Sequence, residues 1–167
     1  EIKISDMAGQ KRIMICCSTW GEGEQPDNAE DLWVSANADD SPSMSGVNFS
    51  VLSLGDSSYD LFCESGKEWD SWLESKGGIR INQRVDCDVD YEVPAKEWMD
   101  ETLARMGAVD DSGVFQENLV EEVKNNVSGN VSNKSEPESK SSEASIEIST
   151  DGDRSMIILF GSQSGNA

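Results

Sequence analysis

Apolar positions in this chain concentrate in three short runs, and each run stops abruptly at small, polar or glycine residues. The runs are Ile13 to Cys17, Val47 to Leu54 and Met156 to Phe160. Ile13 to Cys17 is continuous and short enough for a strand buried on both faces of a parallel sheet. Val47 to Leu54 is apolar and β-branched in part, and Met156 to Phe160 is another apolar run. Between them the spacing changes to that of helices. Pro26-Asp27-Asn28 reads as a capped entry, with the helix carried on through Ala29 to Ala38. Trp69, Trp72 and Leu73 line one face of a helix from Gly66 to Glu74, closed by Gly77 and Gly78. Pro94, Trp98, Leu103 and Met106 predict a closing amphipathic helix. Glu1 to Asp6 alternates (E-I-K-I-S-D) like an edge strand, and Ile79 to Val89 supplies a last strand region. Strands alternating with helices predict an α/β, doubly wound parallel sheet.

In such a sheet, ligands bind where loops leave the carboxyl ends of the strands. Two of these loops carry one aromatic each. Ser18-Thr19-Trp20-Gly21-Glu22-Gly23-Glu24 follows the first run, and Gly55-Asp56-Ser57-Ser58-Tyr59-Asp60 follows the second. Two rings on neighbouring loops can clamp a flat conjugated ligand; equally, each ring can pack against its own loop. After the third run comes Gly161-Ser162-Gln163-Ser164-Gly165-Asn166. Hydroxyls and glycines at that point form an anion cradle of backbone N–H groups.

Composition narrows the chemistry. The 167 residues carry a net charge of −20, which makes nucleic acid and anionic membranes poor partners and a basic-faced protein a good one. Glu22, Glu24, Asp86, Asp88 and Asp90 read either as solvated loops or as an acidic docking rim. The chain has no histidine, so Ser-His and Cys-His nucleophiles and His metal sites are excluded. Cys16, Cys17, Cys63 and Cys87 form no C-x-x-C pair; no metal site is expected, and a reduced, cytoplasmic setting is. G-S-Q-S-G-N-A lacks the lysine of a nucleotide P-loop. Residues 107–154 turn rich in Ser, Glu, Asn and Lys and read as an acidic, disordered linker. A short helix face is possible within it at Phe115, Leu119, Val120, Val123 and Val127.

S-T-W-G-E-G-E-Q-P-D-N-A, L-G-D-S-S-Y-D-L-F-C and F-G-S-Q-S-G-N-A resemble the three FMN-binding loops of flavodoxin-like domains. Among these the likeness is strongest to diflavin reductases, in particular the flavoprotein subunit of NADPH-dependent sulfite reductase. C-E-S-G-K-E-W-D and R-V-D-C-D-V-D-Y-E strengthen it. The resemblance implies a strand order of 2-1-3-4-5 and FMN held by residues of all three loops. The first loop would supply Ser18, Thr19, Trp20, Gly21, Glu22 and Gly23. The second would supply Leu54, Gly55, Asp56, Tyr59, Phe62 and Cys63, and the phosphate loop Ser162, Gln163, Ser164, Gly165 and Asn166. It also implies electron transfer from an FAD/NADPH-binding reductase module to a basic-faced redox acceptor such as a sulfite reductase hemoprotein. A free-standing or tandem flavodoxin carrier is one alternative, and a cofactor-free interaction module on the same fold is another.

The parts stand in an unusual order. Residues 1–106 run from strand 2 to the final helix, 107–154 form the linker, and 155–167 hold strand 1 with its phosphate loop. Helix 1 is lacking. A piece of a tandem of two such domains explains this order, as does a circular permutation. As a flexible coil the linker reaches roughly 38 Å, enough to cross a domain about 34 Å wide. Met156 to Phe160 is therefore expected to fill the central slot of the sheet.

Overall fold

The computed structural model describes residues 2–130 and 156–161. Its centre is strand β1 (Arg12–Ser18), whose run of apolar residues divides by alternation between two faces. Ile13, Ile15 and Cys17 face one core, and Met14 and Cys16 face the other. Strand β2 (Asn48–Leu54) lies parallel beside it, in register from Arg12 opposite Asn48 to Ser18 opposite Leu54. On the other side β5 (Ile157–Gly161) is also parallel, with Ile13 opposite Ile157 and Cys17 opposite Gly161. The far side of β2 pairs with two short strands, β3 (Ile79–Arg80) and β4 (Val85–Cys87). The order is β3-β2-β1-β5, with β4 also on β2.

Helices cover both faces. Helix α2 (Asp27–Ala36) packs on β5, and α3 (Glu64–Ser75) on β1 and β2. The helical spacing of Trp69, Trp72 and Leu73 turns all three into the core on that side. There the Trp33 and Trp69 rings meet edge to face at 4.7 Å. Trp72 Nε1 donates to the carbonyl of Ala36 at 2.9 Å, so this indole is buried without an orphan donor. The opposite face carries α4 (Glu92–Gly107), whose Trp98 Nε1 donates to Ser50 Oγ at 2.8 Å. Pro94 falls within the first turn of α4, where the missing N–H removes no helical bond.

The sheet is parallel and doubly wound as expected, but three details differ from the sequence reading. The first concerns the strand expected at Glu1 to Asp6, whose described residues do not form one: Ile4–Ala8 is a one-turn helix, α1. The Asp6 carboxylate accepts from the Lys3 N–H at 2.9 Å, and the turn delivers Met7 fully into the core. Without that outer strand, β5 pairs with β1 but lies at the edge of the sheet among the described residues, rather than in a central slot.

The second difference is in Ile79 to Val89, which breaks into β3 and β4. The break is bridged by Asp70, whose two carboxylate oxygens accept from Arg80 Nε at 2.8 Å and Arg84 Nη1 at 2.9 Å. The third is that ordered packing continues past Met106. Buried Arg12 donates to the carbonyls of Met106, Val109 and Asp110, placing its charge at the C-terminal end of α4. A 3-10 turn (Glu117–Leu119) and helix α5 (Val120–Asn130) then pack on α4 through Ala104, Ala108 and Val120.

Candidate functional site

The register between β1 and β2 brings Ser18 and Leu54 side by side at the carboxyl edge, and both loops leave from there. Thr19 N–H donates to the Leu54 carbonyl at 2.9 Å, extending the pairing by one residue into the loop. The first loop then folds on itself. Trp20 and Glu24 exchange backbone hydrogen bonds of 2.9 and 2.8 Å across Gly21 and Gly23, both at positive φ (+49° and +101°). The Glu24 carboxylate accepts from the Glu22 N–H at 2.9 Å and so serves its own loop. A loop this tight leaves no room inside for an indole, and Trp20 stands 52% exposed.

The second loop is equally self-supporting. Asp56 Oδ1 accepts from the Ser58 N–H at 2.9 Å and from the Ser58 hydroxyl at 2.6 Å. Asp88 accepts from both the Ser57 N–H and the Ser57 hydroxyl, which holds its carboxyl below the usual range. These bonds turn the Tyr59 ring outward, 65% exposed. The loop ends at Cys63, the only non-glycine at positive φ among the described residues (φ +58°) and fully buried. Its thiol is pushed up to about 11 by burial. Gly55 lies where a Cβ would meet the Cys63 nitrogen at 2.9 Å and the Phe62 ring at 3.0 Å, so only glycine lets the loop close this tightly.

Between the loops is a cleft of about 460 Å³, lined by Ser18, Thr19, Trp20, Gly21, Leu54, Gly55, Asp56, Tyr59, Leu61, Phe62 and Cys63. Residues expected from both aromatic loops therefore converge on one concavity, within the size range of small-molecule sites. Glu22 and Gly23 do not line it; they face a neighbouring acidic groove with Glu24, Asp27 and Glu30, on the other side of Trp20. Ser162, Gln163, Ser164, Gly165 and Asn166 lie outside the described residues. The chain reaches Gly161 next to Cys17, where Ser18 Oγ donates to the Gly161 carbonyl at 3.0 Å. Strand β5 thus ends at the same edge of the sheet as the cleft.

Three contributors were not singled out from the sequence. Leu61 lines the cleft and backs Gly23, where an added Cβ would meet its Cδ1 at 2.8 Å. Gln25, between the Trp20 loop and the entry to α2, is buried: it accepts from Trp69 Nε1 at 3.0 Å and donates to Glu68 at 2.9 Å. Ser65 is fully buried at the start of α3 and bonds to the first loop. The acidic rim is partly committed elsewhere, since Asp86 pairs with Arg84 at 2.7 Å and Asp88 holds Ser57. Among the described residues no cluster of His, Cys, Asp or Glu could hold a metal ion, and no helix is long and apolar enough to cross a membrane.

The sequence profile of the flavodoxin family matches residues 1–111. The sulfite reductase [NADPH] flavoprotein alpha-component of Bacillus subtilis (strain 168) is 46% identical over 103 residues, covering 62% of this chain and 17% of that protein. The protein of the same name from Vibrio parahaemolyticus is 39% identical over 113 residues, covering 68% and 18%. The chain thus spans less than a fifth of the length of these curated relatives. Among solved structures, a cysteine-to-alanine mutant of flavodoxin from Pseudomonas aeruginosa is 29% identical. It superposes with a TM-score of 0.51, covering 56% of this chain and 65% of that one. The match over residues 1–111, on a parallel α/β sheet with its cleft at the carboxyl edge, shows that the chain belongs to the flavodoxin family.

Proposed function

We propose that this chain is an FMN-binding electron-transfer domain of an NADPH-linked diflavin reductase, of the kind that serves a sulfite reductase. One observation carries the reading. Trp20 and Tyr59 stand exposed on opposite loops of a single cleft, although each loop is otherwise tightly hydrogen-bonded. Large rings held out of a well-packed loop are placed for a partner with a flat apolar face.

The residues present fit an isoalloxazine. Trp20 and Tyr59 offer the two stacking faces, and Leu61 and Phe62 offer apolar walls. Thr19, Gly21, Gly55 and Asp56 bring backbone close to where the ring edge would lie. Ser18 ties the cleft to the end of β5, so Ser162, Gln163, Ser164, Gly165 and Asn166 are proposed to receive the phosphate. When bound, FMN would supply the redox chemistry, accepting electrons and passing them on. The chain's own part is to orient the ring, shield its faces from water and surround it with negative charge. The likeness to the sulfite reductase flavoprotein and the net charge of −20 together support two partners: an FAD/NADPH-binding module as donor and a basic-faced acceptor, docked by charge.

The absorption spectrum of the purified chain after incubation with FMN and desalting tests the reading. A retained flavin band is expected, with riboflavin, which lacks the phosphate, retained less. No retained band with either compound would leave the fold as an interaction module without cofactor.

A further inference from the structure

We propose that Ser65 is the positioning residue that sets the gap between the Trp20 and Tyr59 loops. It lies immediately after the Tyr59 loop, as the second residue of α3. The residue that caps this helix, Cys63, makes no side-chain cap bond. Instead the cap comes from the other loop: Thr19 Oγ1 accepts from the Ser65 N–H at 3.2 Å. Ser65 Oγ donates to the Glu24 carbonyl at 2.7 Å, and the Ser65 carbonyl accepts from Gln25 Nε2 at 3.4 Å. One fully buried residue thus spends its N–H, hydroxyl and carbonyl on Thr19, Glu24 and Gln25, which bracket Trp20 on both sides.

This arrangement fixes more than local structure. The Tyr59 loop runs directly into α3 through Cys63 and Glu64, so any movement of the helix start carries that loop with it. The Trp20 loop is pinned to the same point at both of its ends. Gly66, packed against Ser53 of β2, keeps the helix start from sliding along the sheet. Ser65 therefore holds the two loops at one separation, with Leu61 packed against Gly23 between them, and a flat ligand meets a preformed slot.

Hydrogen exchange of the full chain without ligand, comparing wild type with Ser65→Ala, tests this directly. Loss of the hydroxyl bond should speed exchange by about 3- to 10-fold, as expected for one hydrogen bond, in both residues 20–24 and residues 56–62. Ser75→Ala, which removes a comparable bond to Trp72 at the other end of α3 (2.7 Å), should leave both loops unchanged. If Ser65→Ala does not fold, Thr19→Val removes the acceptor without opening buried space and is read in the same way. Faster exchange confined to residues 20–24, or an equal response to Ser75→Ala, would overturn the proposal. A second arm, FMN affinity, rests on the proposed function: Ser65→Ala should weaken it by a similar factor. If the wild type binds no FMN, that reading fails while the exchange result still decides the role of Ser65.

Discussion

Gly66→Ala exposes the tightest joint in the fold. In an ordinary helix this change stabilises, by about 1 kcal/mol, because alanine is the better helix former. Here α3 approaches β2 so closely that a methyl at position 66 would fall well inside van der Waals contact of Ser53 Oγ and Cβ, and 3.1 Å from Ser53 Cα. Ser53 is fully buried, its hydroxyl donates to the Cys63 carbonyl at 3.1 Å, and strand β2 lies in the middle of the sheet. Neither side can yield cheaply, so helix and strand must separate. Overpacking of this kind costs about 1–3 kcal/mol where side chains can adjust, and more where backbone is involved. The helix gain offsets only part of this, leaving a net loss of about 2 kcal/mol, or roughly 8 °C in Tm. Urea denaturation followed by tryptophan fluorescence measures it, since Trp69 and Trp72 are buried on the same helix. Ser53→Gly in the same chain should recover part of the loss, whereas Ser53→Ala should not, because the clashing Cβ stays. Equal or greater stability of Gly66→Ala would refute the close approach.

Three further outcomes follow from the buried and titrating groups. Asp70→Asn removes the negative charge, and one of the two acceptor oxygens, that Arg80 and Arg84 share. It should cost about 3 kcal/mol, the low end for a broken buried pair, because Glu74 and Asp86 still hold the two arginines; urea midpoints check it. Asp110 accepts from the Ser112 hydroxyl and the Val114 N–H, which lowers its carboxyl from an ordinary 3.8 to about 2. A depressed carboxylate stabilises above its unfolded value and loses that contribution as pH falls through the folded one. Asp110→Asn should therefore be less stable than wild type at neutral pH, with the gap closing between pH 3.8 and 2 in acid titrations of the urea midpoint. Burial pushes the Cys17 thiol up to about 12 and the Cys63 thiol to about 11. At pH 8 a thiol reagent should label both only as fast as the chain opens, and rapid native labelling of Cys63 would show a looser cleft wall.

The strands that carry the site were legible because their apolar residues concentrate in short runs that end at turn-rich loops. Ile13 to Cys17 and Val47 to Leu54 fill both faces of the sheet, and a pattern of that kind has few other solutions. Glu1 to Asp6 was not legible. Its alternation over so few residues suits an edge strand as well as a helical turn, and burial of Met7, just beyond it, decides for the turn. The cleft could be read from the two loop aromatics and their glycines, whose conformations are set locally. Its supports could not. Gln25 and Ser65 look like ordinary polar residues, and their roles arise from partners about 40 positions away along the chain. The intramolecular ties of the acidic rim were hidden for the same reason: nothing near Asp88 in sequence announces that it holds Ser57.

The central claim is that a flavin lies between Trp20 and Tyr59, and a fluorescence titration of FMN with the chain tests it most directly. Stacking against an indole quenches flavin emission, so the claim predicts saturable quenching at one FMN per chain. Trp20→Ala and Tyr59→Ala should each weaken binding by about 1–3 kcal/mol, which is about 5- to 150-fold. Both variants should keep wild-type stability, because the two rings are more than half exposed. Absence of saturable quenching, or an affinity unchanged when both rings are removed, would contradict it.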